Sequence, residues 1–302
     1  MSSTVPGVDN GFKSASGSIS AAILSPSDGN ATVRLSSEEH ATPATIDWPT
    51  KYDLFGVQVS ATNYTEATDV ICAAAAQRTP AVVSLHPVHA IIESVRNREL
   101  MEQVNRFEII ATDGQPVRWA LNMLHGAGLE DRVYGPELML RLCERAARDG
   151  ISIFLYGSST DVLSRLESQL NVKFPALEIA GSYSPPFRPL TAEEDGAVIQ
   201  LINESGAGLV FIGLGCPKQD KFAAEHQGLI QGVQVCVGAA FDFHAGNKKT
   251  APAWMQRHGL EWLFRLIQEP GRLWKRYLFT NSLFVIKLSA ALLQRGLRRR
   301  AN

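Results

Sequence analysis

Five short apolar runs constrain the fold of this chain more than any other feature. They are AVVSL (81–85), FEIIA (107–111), ISIFLYG (151–157), LVFIG (209–213) and VQVCVG (233–238). None shows a sustained alternation of apolar and polar residues, as expected of strands covered on both faces in a parallel sheet. Helical patterns lie between them. Val88, Ile91, Ile92, Val95 and Leu100 fall on or near one helix face. PELMLRLCERAARDG (136–150) opens with Pro and closes with Gly, the usual asymmetry of helix ends. Strand and helix alternate from Tyr52 onward, which predicts a doubly wound α/β domain.

In such sheets ligands bind beyond the carboxyl ends of the strands. The polar residues at those ends are therefore the candidates: Ser84 and His86, Asp113, Gly157-Ser158-Ser159, Lys218, Gln219 and Asp220, and Asp242 with His244. Each has a plainer reading. Asp113 before Gly114 suits a turn. His86 before Pro87 suits a helix entry. TAEED (191–195) reads as a capped, acid-rich helix start and not a metal site. Asp242-Phe243-His244 offers two cation ligands, too few for a site. The stretch FIGLGCPKQD (211–220) reads as strand, tight turn and helix start, a place where phosphate can meet free N–H groups. It is neither a Walker loop, which needs Gly-Lys followed by Ser or Thr, nor a dinucleotide fingerprint, whose third glycine is replaced by Lys218.

The 302 residues, 45% of them hydrophobic, suffice for one large domain or two small ones. The composition divides the chain into three: a Ser-, Ala-, Thr- and Gly-rich leader (1–46) expected to be disordered, an α/β core (47–250) and a C-terminal helical appendage (251–302). Cys72, Cys143, Cys216 and Cys236 form no C-x-x-C pair, so reduced thiols are expected rather than a disulfide framework or zinc site. No D-x-D motif offers carboxylates for a metal-bound diphosphate. The N-terminus shows no secretory pattern.

Net charge is −1 but unevenly spread. From Gly271 onward there are eight basic residues and no acid, leaving 21 basic against 30 acidic in the rest. That tail also carries Trp274, Tyr277, Phe279 and Phe284. Its apolar part, 277–293, is interrupted by Thr280-Asn281-Ser282 and Lys287, which reads as an interfacial helix and not a span. An anionic membrane surface is the expected partner. A helix packed on the core is the plainer reading. Nucleic acid is disfavoured because no basic patch occurs elsewhere.

Six ordered motifs extend this reading: DGQPVRW, RVYGPELM, SYSPPFR, GLGCPKQDKF, VGAAFDFHAG and APAWMQRHGLEWLFRLIQEPGRLWKRYL. Together they resemble the WecG/TagA/CpsF glycosyltransferases, glycosyltransferase family 26, from about Asp53 to Phe284. The resemblance implies a Rossmann-like core with a membrane-associating appendage. It implies an inverting, metal-independent transfer from a UDP-sugar to a polyprenyl-diphosphate-linked acceptor at the inner face of the bacterial membrane, for surface or exopolysaccharide synthesis. Asp113 matches the family's general base, and Arg132 a pocket arginine facing diphosphate. Gln219 matches the glutamine of the family's Pro-Lys-Gln motif, with Asp220 where Glu is more usual, so Lys218 and Gln219 are expected to line a nucleotide-sugar pocket; Asp242, at the last strand end, is a further candidate for substrate binding. Ser84-Leu85-His86 stands where the family has Thr-Pro-Asn. Arg265, Arg272 and Arg276 match basic positions of the appendage, expected to meet the membrane and close the site.

Two other readings stay open on the residues alone. A dehydrogenase would use Gly213-x-Gly215, and bound NAD would support it. A membrane-docked nucleotide-sugar sensor would bind UDP-sugar without turnover.

Overall fold

The computed structural model describes residues 45–301, with side chains described as far as residue 298. The expected disordered leader lies, apart from its last two residues, outside the described residues. The described chain begins with a hairpin, β1 (Lys51–Leu54) and β2 (Val57–Ser60). Its strands pair antiparallel from Lys51↔Ser60 to Leu54↔Val57 around Phe55-Gly56. Both turn residues have positive φ, 62° and 97°, as a two-residue turn matching strand twist requires.

Six parallel strands form the main sheet: β3 (Ala81–His86), β4 (Ile109–Thr112), β5 (Ile153–Gly157), β6 (Ile179–Tyr183), β7 (Leu209–Gly213) and β8 (Val233–Cys236). Their order is β4-β3-β8-β7-β5-β6. The chain first winds outward from β3 to β4 and then fills the other side, so the order reverses beside β3. One face carries α1 (Tyr64–Ala76), α5 (Gly135–Asp149), α6 (Thr160–Lys173) and α9 (Ala240–His244). The other carries α2 (Val88–Arg96), α3 (Arg98–Val104), α4 (Gln115–His125), α7 (Ala192–Glu204) and α8 (Lys218–Glu225), together with the hairpin. Alternate strand residues feed the two cores. Val83, Leu85, Leu209 and Phe211 pack on the first, and Val82, Ile110, Val210 and Ile212 on the second. The absence of alternation in the sequence thus reflects burial on both faces.

The expected doubly wound sheet is present, with three local differences. The helix expected from Val88 to Leu100 is two, broken at Asn97, whose side chain accepts from Leu100 N and starts α3. Strand β6 was not visible as an apolar run because Gly181 and Ser182 interrupt it. Gly181 has no room for a Cβ, which would sit 2.8 Å from the Phe154 ring. The C-terminal segment forms α10 (Ala253–Arg257), α11 (Glu261–Gln268) and α12 (Pro270–Ala301). Helix α12 runs unbroken through Thr280-Asn281-Ser282, with the Thr280 hydroxyl donating to Arg276 O at 2.9 Å. It packs on α2 and α4 and buries Leu273, Thr280 and Phe284.

Candidate active site

Asp113 follows the last residue of β4, and its N–H donates to His86 O at 3.2 Å, extending the ladder past the strand. Gly114, at φ 129°, then turns the chain into α4. The segment before α5 lies alongside, fixed by Val133 N to Thr112 O at 3.0 Å and Tyr134 N to the Tyr64 hydroxyl at 3.0 Å. It carries Arg132 next to the end of β4. From the appendage, Glu261 reaches in to pair with Arg132 at 2.5 Å, and Gln256 Oε1 lies 3.5 Å from the same guanidinium nitrogen. Arg132 stacks over the Tyr134 ring at 4.6 Å, and Arg265 over Phe243 at 5.5 Å.

This grouping sets the chemistry of Asp113. Burial pushes its carboxyl up to about 6, and Glu261 adds to the rise; Arg132, Arg265 and a hydrogen bond with the Gly135 backbone oppose it. A carboxylate poised near neutrality beside two guanidinium groups suits a proton acceptor next to an anionic leaving group.

A second polar cluster lies on the α8 face of β3. Ser84, His86 and Asp220 are buried, and the Ser84 hydroxyl donates to Asp220 Oδ1 at 2.6 Å. His86 Nε2 stands 3.4 Å from the same oxygen, outside hydrogen-bond geometry. Burial alone would raise Asp220; His86 nearby and hydrogen bonds from Ser84 and Cys216 outweigh it and hold the carboxyl below its ordinary value. Arg276 of α12 faces His89 and Cys216 at the margin of this cluster. Burial, reinforced by Arg276 and opposed by Asp220, pushes His89 down to about 4.

The remaining sequence candidates take different positions. Lys218 is exposed at the start of α8. Gln219 is buried, with its Oε1 accepting from Gly215 N at 3.1 Å and its Nε2 donating to Cys236 O at 3.4 Å. It ties the glycine turn to the end of β8. Asp242 pairs with Lys248 at 3.2 Å, while His244 Nε2 meets Pro136 O at 2.8 Å, so the two have separate partners. Among the described residues no group of three His, Cys, Asp or Glu side chains is placed to hold a metal ion. Arg272 is exposed and pairs with Glu269. Glu261, Tyr134 and Gln256 were not singled out from sequence. Glu261 stands four residues before Arg265, a spacing that suggests a pair within the helix, yet it spans 129 residues to Arg132.

A groove of about 670 Å³ lies elsewhere, between α12, α4 and the hairpin, lined among others by Asp53, His125, Lys287 and Arg295. Arg295 is spent on the carbonyls of Met123 and Leu124 at the end of α4. The geometry for proton transfer beside Arg132 and Arg265 is at Asp113, which we take as the candidate site.

The profile of the glycosyl transferase WecG/TagA/CpsF family matches residues 52–300. The chain belongs to this family. A relative in Bacillus subtilis (strain 168) is 32% identical over 203 residues, covering 67% of this chain and 77% of its own. That protein is an N-acetylglucosaminyldiphosphoundecaprenol N-acetyl-beta-D-mannosaminyltransferase. The protein is thus a glycosyltransferase, as the motifs implied, and the dehydrogenase reading falls away.

Proposed function

We propose that this glycosyltransferase moves a hexose or N-acetylhexosamine, of the N-acetylmannosamine type, from a UDP-sugar to an undecaprenyl-diphosphate-linked saccharide, with inversion. The observation that carries this reading is the grouping of Asp113, Arg132 and Arg265 at the carboxyl end of the parallel sheet. The Asp113 carboxylate takes the proton of the acceptor hydroxyl. The acceptor oxygen bonds to the anomeric carbon from the face opposite UDP, and the bond from that carbon to the diphosphate oxygen breaks. UDP leaves with the electron pair, and guanidinium groups stabilise its charge. Arg132 is held by Glu261, so Arg265 and Arg276, which have no ion-pair partner among the described residues, take this role, and turnover without a metal is chemically complete. The relative's name supports the class of acceptor and sugar.

The lipid acceptor stays in the bilayer, so the enzyme must reach it. Pro270–Arg298 is long and apolar enough by length and composition to cross a membrane. A span would strip Leu273, Thr280 and Phe284 from the core. Attachment to the inner leaflet by the outer face of α12 keeps that packing and offers Trp274, Leu278, Val285 and Ile286 to the interface.

The test is a screen of UDP-sugars against a short-chain lipid-diphosphate-N-acetylglucosamine, with mass spectrometry of the product. Transfer from one donor with inverted anomeric configuration supports the reading. UDP-sugar binding without turnover on any polyprenyl-diphosphate acceptor would replace it with a sensor.

A further inference from the structure

Arg132 has two carboxylates within reach of its charge, and it is bonded to the one further along the chain. Glu261 takes its guanidinium at 2.5 Å, with both side chains about nine-tenths buried. Tyr134 stacks beneath that guanidinium, and Gln256 Oε1 lies 3.5 Å from its end. These contacts aim the charged end of Arg132 at α11. Asp113 sits beside it at the end of β4 and has no ion-pair partner among the described residues.

We propose that Glu261 is a positioning residue: it holds the Arg132 guanidinium so that Arg132 does not pair with Asp113, leaving that carboxylate free to take a proton. The last clause rests on the reading of Asp113 as general base. A carboxylate bound directly to an arginine is a weak base, because the pair stabilises its ionised form. The raised proton affinity of Asp113 agrees with this arrangement, since Glu261 contributes to it and Arg132 only partly opposes it. Asp113 is faced by Tyr64 from α1, by Arg132 and Tyr134 from the segment before α5, and by Glu261 and Arg265 from α11. Of these, Glu261 is the one anion that also ties up a neighbouring cation. Its position on α11 means that the appendage, by docking, sets the state of a core carboxylate.

The full-length protein with carbon-13 at aspartate Cγ allows Asp113 to be titrated directly by NMR, its resonance identified by its loss in Asp113→Asn. In Glu261→Gln the midpoint should fall from near 6 by about one pH unit or more, the usual effect of an arginine pairing with Asp. The acid limb of kcat/KM, measured with UDP-sugar and a soluble acceptor, should move down with it. Glu261→Asp, which keeps the charge but shortens its reach, should shift the midpoint in the same direction by less. An unmoved midpoint in folded Glu261→Gln overturns the proposal, as does an unmoved midpoint in Glu261→Asp if the Gln variant fails to fold. A midpoint that moves while the acid limb stays fixed upholds the hold on Arg132 and removes Asp113 as base.

Discussion

Asp113 is a partly buried carboxylate that the fold keeps near cations without giving it an ion-pair partner among the described residues. Asp113→Asn should preserve the fold and UDP-sugar binding but lower turnover by roughly 10²-fold or more, the scale of losing a general base. Steady-state kinetics beside a UDP-binding isotherm checks this; near-wild-type turnover would remove Asp113 from the mechanism. The same residue predicts a pH profile. Its proton is held up to about 6 in the fold, so turnover should decline as pH falls through that value. The stability effect has the opposite sense. A carboxyl with a raised folded pKa favours the fold when protonated, and that contribution is lost as pH rises through 6. Asp113→Asn should therefore melt no lower than wild type at pH 8 while being nearly inactive there. A clearly lower melting temperature would mean that the ionised carboxylate is a structural group.

At the scale of elements, the β7–α8 turn and the end of β3 are joined by buried polar contacts. Ser84 donates to Asp220, and Gln219 bonds the Gly215 N–H and Cys236 O. Removing the Ser84 hydroxyl leaves a buried carboxylate short of a donor, which should cost about 1–3 kcal/mol. Ser84→Ala should show that loss in chemical denaturation, with UDP-sugar affinity little changed. The loss should be largest above the ordinary Asp pKa and shrink in acid, because Asp220 has a lowered folded pKa and supports the fold only when ionised. Unchanged stability with tenfold weaker UDP binding would instead make Ser84 a ligand contact. For Asp242 and His244, separate partners predict that EDTA leaves turnover intact. Loss restored by Mg²⁺ or Mn²⁺ would bring both residues into a metal site.

For the molecule as a whole, α12 joins catalysis to location. Its 32 residues extend about 48 Å at the usual rise, with one face spent on α2 and α4. Deleting it would expose the apolar surface that Leu273 and Phe284 cover, so loss of activity on truncation would not separate folding from docking. Replacing Trp274, Leu278 and Val285 together with Ser should spare turnover on a soluble acceptor and weaken flotation with anionic liposomes. Each Lys or Arg near an anionic leaflet adds about 1 kcal/mol, less as salt rises, so residual binding in that variant should be more salt-sensitive than in wild type. Equal flotation of the two proteins would rule out the exposed face of α12 as the attachment surface.

Local spacing decided much of this protein before any contact formed. Apolar runs without alternation marked β3, β4, β5, β7 and β8, and their ends located Asp113, because a residue's place along a strand depends only on its near neighbours. The Thr191–Glu194 capping box and the left-handed Gly150 were legible for the same reason. The hairpin and edge strand β6 escaped, since neither carries an unbroken apolar run. Only tertiary packing decided that Ser84 and His86 lie beneath α8, that α12 stays helical through Thr280-Asn281-Ser282, and that Glu261 bonds Arg132 instead of its helical neighbour Arg265. Those outcomes depend on which surfaces meet across more than a hundred residues of chain. A buried charge takes the partner that packing brings within reach, and no short-range periodicity encodes that choice.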